Sequence, residues 1–419
     1  MRLASGEAGS CGTDCSVQKW GCDIMAKRRV ECSKLRFRGM LLVAPVTWAA
    51  IVLAATAQTA HSIDQVTITE YAVPTSGGEP VGLISAPDGN LWFTEGPDKI
   101  GKITTSGVIT EYPTPTASSA PTNIITGPDG NVWFTEALGG KIGKITAAGV
   151  ITEYAVPAGG IITGPDGNLW FTEGGANGAD KIGRITTAGN IVEYPTPTGS
   201  SCPGGITTGP DGNLWFIENC ARKIGKITPA GAITEYPTLP HTGNIYYPIS
   251  ITSGPDGNLW FAEGPDKIGN ITPAGVITEY TTPTGNGWTE SIITGPDGNL
   301  WFSERDADRI GKITPAGIIT EYATPSDNSR PGVITTGPDG NLWFTEKIGK
   351  IGRLTLARSA CVGDCDGSGD IMVNELVTMV NIALNTAPLS ACLPADADGS
   401  GTITIDEILT AVNNALNGC

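Results

Sequence analysis

Histidine is almost absent: the chain has two in 419 residues, His61 and His241. His61 stands near the expected mature N-terminus and His241 in segment 239–247 between repeat units, so no Ser-His-Asp arrangement can be assembled around either. Basic residues are also few, 26 Lys and Arg against 42 Asp and Glu, for a formal net charge of -16. Such a surface repels phosphate backbones, which removes nucleic acid from the expected partners; it suits soluble extracellular life and cation binding. Gly (57) and Pro (30), in contrast, are abundant. Both recur at fixed places, which points to many tight turns and away from disorder.

The N-terminus has the layout of an export signal. Lys27, Arg28, Arg29, Lys34, Arg36 and Arg38 precede the uncharged run Met40 to Ala57, which ends in the small-x-small site Ala55-Thr56-Ala57. A signal peptide is expected over residues 1–57, with Met25 as an alternative start. The competing reading is an uncleaved anchor, because the 18-residue run is close to the membrane-spanning minimum. Loss of 1–57 removes eight Lys/Arg and four Asp/Glu, so the mature net charge becomes -20. It also removes Cys11, Cys15, Cys22 and Cys32 and leaves six: Cys202, Cys220, Cys361, Cys365, Cys392 and Cys419. An even set in a secreted, extracellular or periplasmic protein predicts three disulfides. Cys202 and Cys220 flank one hairpin about equally and are expected to pair. The last four cysteines allow three pairings, all left open.

One phrase, Pro-Asp-Gly-Asn-(Leu/Val)-Trp-Phe-x-Glu, occurs seven times, with its Asp at Asp88, Asp129, Asp166, Asp211, Asp256, Asp297 and Asp339. The spacings are 41, 37, 45, 45, 41 and 42 residues, the period of a four-stranded propeller blade. The WD signature is absent, so this is another propeller type. In each unit a β-rich run leads into the Asp-Gly hairpin turn. Leu-Trp-Phe-x-Glu and then Lys-Ile-Gly-Lys-Ile-Thr follow as the second and third strands, and Ile-Thr-Glu-Tyr is the fourth. Fourth-strand phrases end at Tyr71, Tyr112, Tyr154, Tyr194, Tyr236, Tyr280 and Tyr322. The first precedes every Asp-Gly turn, and no such phrase follows the last turn. This predicts an all-β, seven-bladed ring over residues 58–355, with strand 66–72 completing the blade built from 331–355. One Trp per blade at a fixed strand position is expected to pack between blades, and the seven turn Asp to cap turns. Trp288 lies outside the repeat and is the better candidate for a surface contact.

After a short linker, 356–360, the composition changes. Residues 361–419 hold two loops with the spacing of calcium ligands. The first presents Asp364, Asp366, Ser368, Asp370 and, at position twelve, Glu375; the second presents Asp396, Asp398, Ser400, Thr402 and Glu407. Oxygen ligands at positions 1, 3 and 5, Gly369 and Gly401 at position 6, a carbonyl at 7 and Glu at 12 are what a hard cation requires, so calcium is the expected ion. Helices are predicted over 375–384 and 407–416, with Leu376, Val380, Leu384 and Ile408, Val412, Leu416 marking one face each. Ile371 and Ile403, at position 8, are expected to pair in a short strand. Loop-then-helix, twice, resembles the dockerin family; the resemblance implies calcium binding and a cohesin-like or cell-surface protein partner. The cysteines of this segment are additional to that family's pattern.

The phrases GPDGN-LWFTE, KIG(K/R)IT and ITEY resemble those of the streptogramin lyase (virginiamycin B lyase) family across residues 66–355. The resemblance implies a seven-bladed propeller and a carbon-oxygen lyase that opens a cyclic depsipeptide ester by Mg2+-assisted elimination. It places catalytic histidines at the start of the innermost strands of the last two blades. Counted back from each Asp-Gly turn, that position holds Val81, Thr122, Gly159, Gly204, Ile249, Glu290 and Gly332. None is His, and Arg330 stands where an acidic residue is expected. Glu346 matches the family's final catalytic Glu, although every blade has Glu there. Residual chemistry would therefore fall to Glu290 and Glu346. The favoured reading is a monomeric extracellular binding scaffold that takes a small molecule or glycan at the propeller mouth and carries a calcium-binding docking module. A lyase and a structural envelope protein remain as alternatives.

Overall fold

The computed structural model describes residues 66–174, 179–240, 246–356, 362–365, 371–397 and 400–417. The leader, His61, His241, Cys361, Cys419, Asp366, Ser368, Asp370 and Asp398 lie outside them, as does most of the linker.

Seven four-stranded antiparallel sheets follow one another along the chain, and the innermost strands of neighbouring blades pack side by side around a closed ring. Blades 1 to 6 span residues 79–113, 121–154, 161–195, 203–237, 247–281 and 289–323. Blade 7 takes three strands from 331–356, and its fourth is Val66–Ala72, paired antiparallel to Lys350–Leu356 from Val66↔Leu356 to Ala72↔Lys350. The closure expected from the offset count of Tyr phrases is thus present, and it leaves no blade with an incomplete sheet.

The repeated residues build one unit seven times. Trp92 is buried, its Nε1–H donates to the Asp88 carboxylate, Tyr112 of the fourth strand stacks on it at 5.7 Å, and Lys102 covers it at 5.3 Å. Corresponding Trp–Tyr stacks occur in all seven blades. Each Trp also reaches the next blade: Trp92 shares a cluster with Phe134, and Trp343 with Phe93 across the closure. These aromatics are therefore the apolar contents of the blade interfaces. Gly in Lys-Ile-Gly is needed because a Cβ on Gly101 would stand 2.0 Å from the Phe93 ring. Blade 5 departs from the pattern: Asn270 replaces the cation and donates to Asp256.

Near the start of the innermost strand in six blades, the ladder slips. In blade 7, Pro331 pairs with Glu346 and Ile334 with Phe344, so Gly332 and Val333 together oppose Thr345. In blade 6, Glu290 and Ser291 likewise oppose Ser303. A β-bulge re-aims a side chain. The N–H it frees is taken up by the hydroxyl of Leu-Trp-Phe-(Thr/Ser)-Glu: Val333 N–H donates to Thr345 Oγ1 and Ser291 N–H to Ser303 Oγ.

The C-terminal segment contains two helices, α1 (Val373–Ala383) and α2 (Ile405–Asn417). Each begins two residues before the expected start. Their core is Ile371, Met379, Ile382, Cys392, Ala395, Ile403 and Ala411. Ile371 and Ile403 are not in strands; they enter this core instead of pairing. The expected apolar face is also partly corrected. Leu376 and Ile408 pack on the core, but Val380, Leu384 and Val412 are exposed. Disulfides join Cys202 to Cys220 and Cys365 to Cys392, the second selecting one of the three pairings that were open. Among the described residues no helix is long and apolar enough to cross a membrane.

Candidate functional site at the propeller mouth

Seven near-copies of one unit allow an internal comparison. Where one side chain departs from its six counterparts, the fold does not demand it. The most concentrated departures lie where the linker enters the innermost strand and where the second strand leaves for the third, which is one end of the ring.

The residue that follows Leu-Trp-Phe-x-Glu is Gly96, Ala137, Gly174, Asn219 and Gly264 in blades 1 to 5, then Arg305 and Lys347 in blades 6 and 7. Opposite it, four linkers hold a residue in the left-handed region: Ala120, Cys202, Trp288 and Arg330, with φ between 50° and 57°. The carbonyls of these four accept from the N–H groups of Ala137, Asn219, Arg305 and Lys347 respectively, so the positions are structurally equivalent. In blade 4 a disulfide joins Cys202 to Cys220, the residue after Asn219. Only blades 6 and 7 fill both with large aromatic or cationic side chains.

These side chains form one network. Arg305 lies over Trp288 at 5.0 Å, and Trp288 meets Tyr247 edge to face at 5.8 Å. The Arg305 guanidinium donates to Asp306 through Nε (2.9 Å) and Nη2 (3.2 Å) and to Glu290 Oε2 through Nη1 (3.4 Å). Lys347 Nζ stands 3.5 Å from Glu290 Oε1, and Arg330 Nη2 stands 3.9 Å from Asp306 Oδ1. Arg305, first through its hydrogen bonds, holds the Asp306 carboxyl below the usual carboxylate range, with Arg330 and Lys347 contributing. Charges thus alternate along Arg330, Asp306, Arg305, Glu290 and Lys347.

Glu290 and Glu346, the two expected bases, do not form a pair. Glu290 sits in this network between two cations. Glu346 is fully buried, and both its oxygens lack a hydrogen-bond partner among the described residues. Burial pushes its carboxyl up to about 7, with the Glu70 carboxylate adding to the shift and Lys350 opposing it. It belongs to a unit present in every blade: a buried second-strand Glu, a fourth-strand Glu and a third-strand cation. In blade 1 these are Glu95, Glu111 and Lys99, where Lys99 pairs with Glu111 at 2.7 Å and burial lifts Glu95 to about 7. Glu346 is thus one of seven equivalent buried carboxyls, one in each blade. Reading the sequence for nucleophiles and bases missed Arg305, Asp306, Lys347 and Tyr247. The signal that finds the first and third is the residue after each Leu-Trp-Phe-x-Glu, compared blade by blade.

The two acidic loops have matching geometry where they are described. Glu375 accepts from the N–H groups of Cys365 and Met372, each at 2.7 Å; Glu407 accepts from Ala397 and Thr404, each at 2.7 Å. In both loops the position-twelve carboxylate therefore ties positions 2 and 9 together. Asp396 accepts from the N–H groups of Ser400 (2.9 Å) and Gly401 (2.8 Å), and Ser400 meets Thr402.

The strand order and the ring closure define a seven-bladed β-propeller. The virginiamycin B lyase family matches residues 47–246 and 238–360, and the chain belongs to that family. Among solved structures, a streptogramin B lyase is 41% identical, covers 70% of this chain and 98% of its own length, and superposes with a TM-score of 0.65. The virginiamycin B lyase of Staphylococcus aureus is 39% identical over 70% of this chain and 100% of its own, also at 0.65. A catalytically inactive histidine-to-alanine variant of that enzyme, solved with quinupristin, matches equally. An extracellular domain of a two-component system from B. thetaiotaomicron, 15% identical with a TM-score of 0.55 over 68% of this chain and 42% of its own, shares the fold alone. No curated protein matches the chain.

Proposed function

We propose that this protein is an extracellular binding propeller that holds a small ligand at the mouth of blades 6 and 7 without turning it over. The observation that carries this reading is the network that engages Glu290 with Arg305 and Lys347 at a position where the family resemblance implies a histidine, with Gly332 at the other such position. A base for abstracting a proton beside a carbonyl needs a free lone pair aimed at substrate. Glu290 instead faces two cations, and Gly332 has no side chain. Mg2+ does not fit this mouth: Arg305, Arg330 and Lys347 would repel it, and Arg330 stands at the position of an acidic residue.

The two loops fit calcium. Asp364 and Glu375 in the first, and Asp396, Ser400, Thr402 and Glu407 in the second, would hold it together with Asp366, Ser368, Asp370 and Asp398. The ion would supply cross-linking of each loop to its helix. The module is read as a docking appendage for a cohesin-like or cell-surface protein. That reading is supported by exposed apolar residues at matching positions of the two helices: Val373, Val377 and Val380 on α1, Ile405, Leu409 and Val412 on α2. The disulfides Cys202–Cys220 and Cys365–Cys392 support an oxidising compartment.

The test is incubation of the mature protein with quinupristin and Mg2+, followed by chromatography with mass detection, alongside an active lyase. The expected outcome is intact antibiotic. A new peak of unchanged mass, abolished by chelator, is a ring opened by elimination and would replace this reading with the lyase one. Loss of that activity in Glu290→Gln would then assign the base.

A further inference from the structure

The network at the mouth is unevenly satisfied. Arg305 is the most engaged cation of the network: stacked on Trp288, with three of its five N–H donors on Asp306 and Glu290. Asp308, the next carboxylate, is engaged by the backbone N–H groups of Asn328 (2.8 Å) and Arg330 (3.0 Å). Arg330 and Lys347 differ from Arg305. Among the described residues their ion pairs, at 3.9 and 3.5 Å, are longer than a charge-assisted hydrogen bond, and their side chains are 51% and 34% exposed. Neither head group donates a hydrogen bond within hydrogen-bonding distance among the described residues. Their backbones are joined, with Lys347 N–H directed at the Arg330 carbonyl at 3.5 Å, so both side chains leave from one point. Gly332, the next residue but one after Arg330, is buried, and a Cβ there would clash with Thr345 Oγ1 at 2.8 Å, so it adds no room to the mouth.

We propose that Arg330 and Lys347, joined through their backbones, form a seat for an oxyanion at one end of the mouth ligand. This rests on the mouth being a binding site. A guanidinium offers a planar fork and an ammonium a mobile point charge, so together they accept a carboxylate, sulfate or phosphate group. Asp306 and Glu290 stand at ion-pair distance from the two cations, 3.9 and 3.5 Å. The protein as a whole is strongly anionic, so an anion is drawn to this place and not to the surface at large. Blades 1 to 5 carry Gly, Ala or Asn at the Lys347 position and cannot form an equivalent seat.

The experiment is calorimetric titration of the full chain at low ionic strength with benzoate, inorganic sulfate and inorganic phosphate as separate probes. Saturable binding of at least one is expected. Preference for benzoate identifies a carboxylate ligand; preference for sulfate or phosphate identifies a tetrahedral one. Arg330→Gln/Lys347→Gln is expected to bind at least about tenfold more weakly, the loss of a charge-assisted hydrogen bond, with an unchanged melting temperature. The single variants supply the same reading if the double variant does not fold. Absence of saturable binding in the parent protein, or equal affinity in the variants, overturns the seat. The two proposals fail separately: ring-opened quinupristin removes the non-catalytic reading and leaves the seat, whereas quinupristin retained at the mouth with no anion bound removes the seat alone.

Discussion

The ring of Tyr71 lies 5.5 Å from that of Trp343 at an interplanar angle of 18°. The two residues are 272 positions apart, yet the geometry is that of Trp92 with Tyr112 inside blade 1, at 5.7 Å and 17°. The closing strand therefore reproduces a complete blade, including Glu70, which pairs with Lys350 at 2.6 Å and accepts from Ser326.

Closure makes Tyr71 a test of ring integrity. Tyr71→Ala removes the stack and leaves Trp343 with an unfilled face. A loss of about 3 kcal/mol is expected, the low end for truncating a buried aromatic because Tyr71 is only half-buried. Chemical denaturation checks this. Deleting residues 66–72 is expected to cost more and to promote self-association, because the Lys350–Leu356 strand becomes an open edge.

The buried glutamates make stability pH-dependent. Each blade places two carboxyls about one cation, so one carboxyl retains its proton more readily than in water. Glu95, Glu173, Glu218, Glu304 and Glu346 are raised from 4.5 to about 7, Glu263 to about 8 and Glu136 in the same direction, all chiefly by burial. A raised folded pKa contributes stability that is complete below the unfolded value and is lost as pH rises through about 7. The fourth-strand Glu70, Glu111, Glu153 and Glu235 are lowered, their lysine and hydroxyl hydrogen bonds outweighing the burial that acts against them. Their contribution runs the other way and is lost on acidification below 4.5. A melting temperature highest near pH 4.5 and falling as pH rises toward about 7 is expected from these directions. Glu346→Gln, a neutral isostere, is expected to flatten the alkaline side; an unchanged profile in that variant would sink the assignment.

In the acidic loops, Glu375→Gln and Glu407→Gln are each expected to weaken one calcium site and leave the other. Titration calorimetry with Ca2+ counts the sites. Two unaltered sites in either variant would show that the position-twelve carboxylates bind only backbone N–H groups.

The repeat phrase was enough to determine seven blades, the strand order and the closing strand, because each blade must fill one interface with one Trp, one Tyr and one Phe. The pairing of Cys202 with Cys220 followed from their symmetry about one turn. What the chain alone did not reveal is that the second-strand Glu of each blade is buried beside a fourth-strand Glu and a third-strand cation. Glu290 and Glu346 look equivalent as carboxylates 56 residues apart, but a bulge places one in an open charge network and strand packing seals the other inside a blade. Likewise Ile371 and Ile403 have strand-like character, and the choice between pairing and core was made by the helices packed around them. Local pattern sets the blade because its contacts recur at fixed spacing. The mouth was decided by tertiary structure, because Arg305, Asp306, Arg330 and Lys347 meet only once linkers and hairpins from two blades are brought to the same end of the ring.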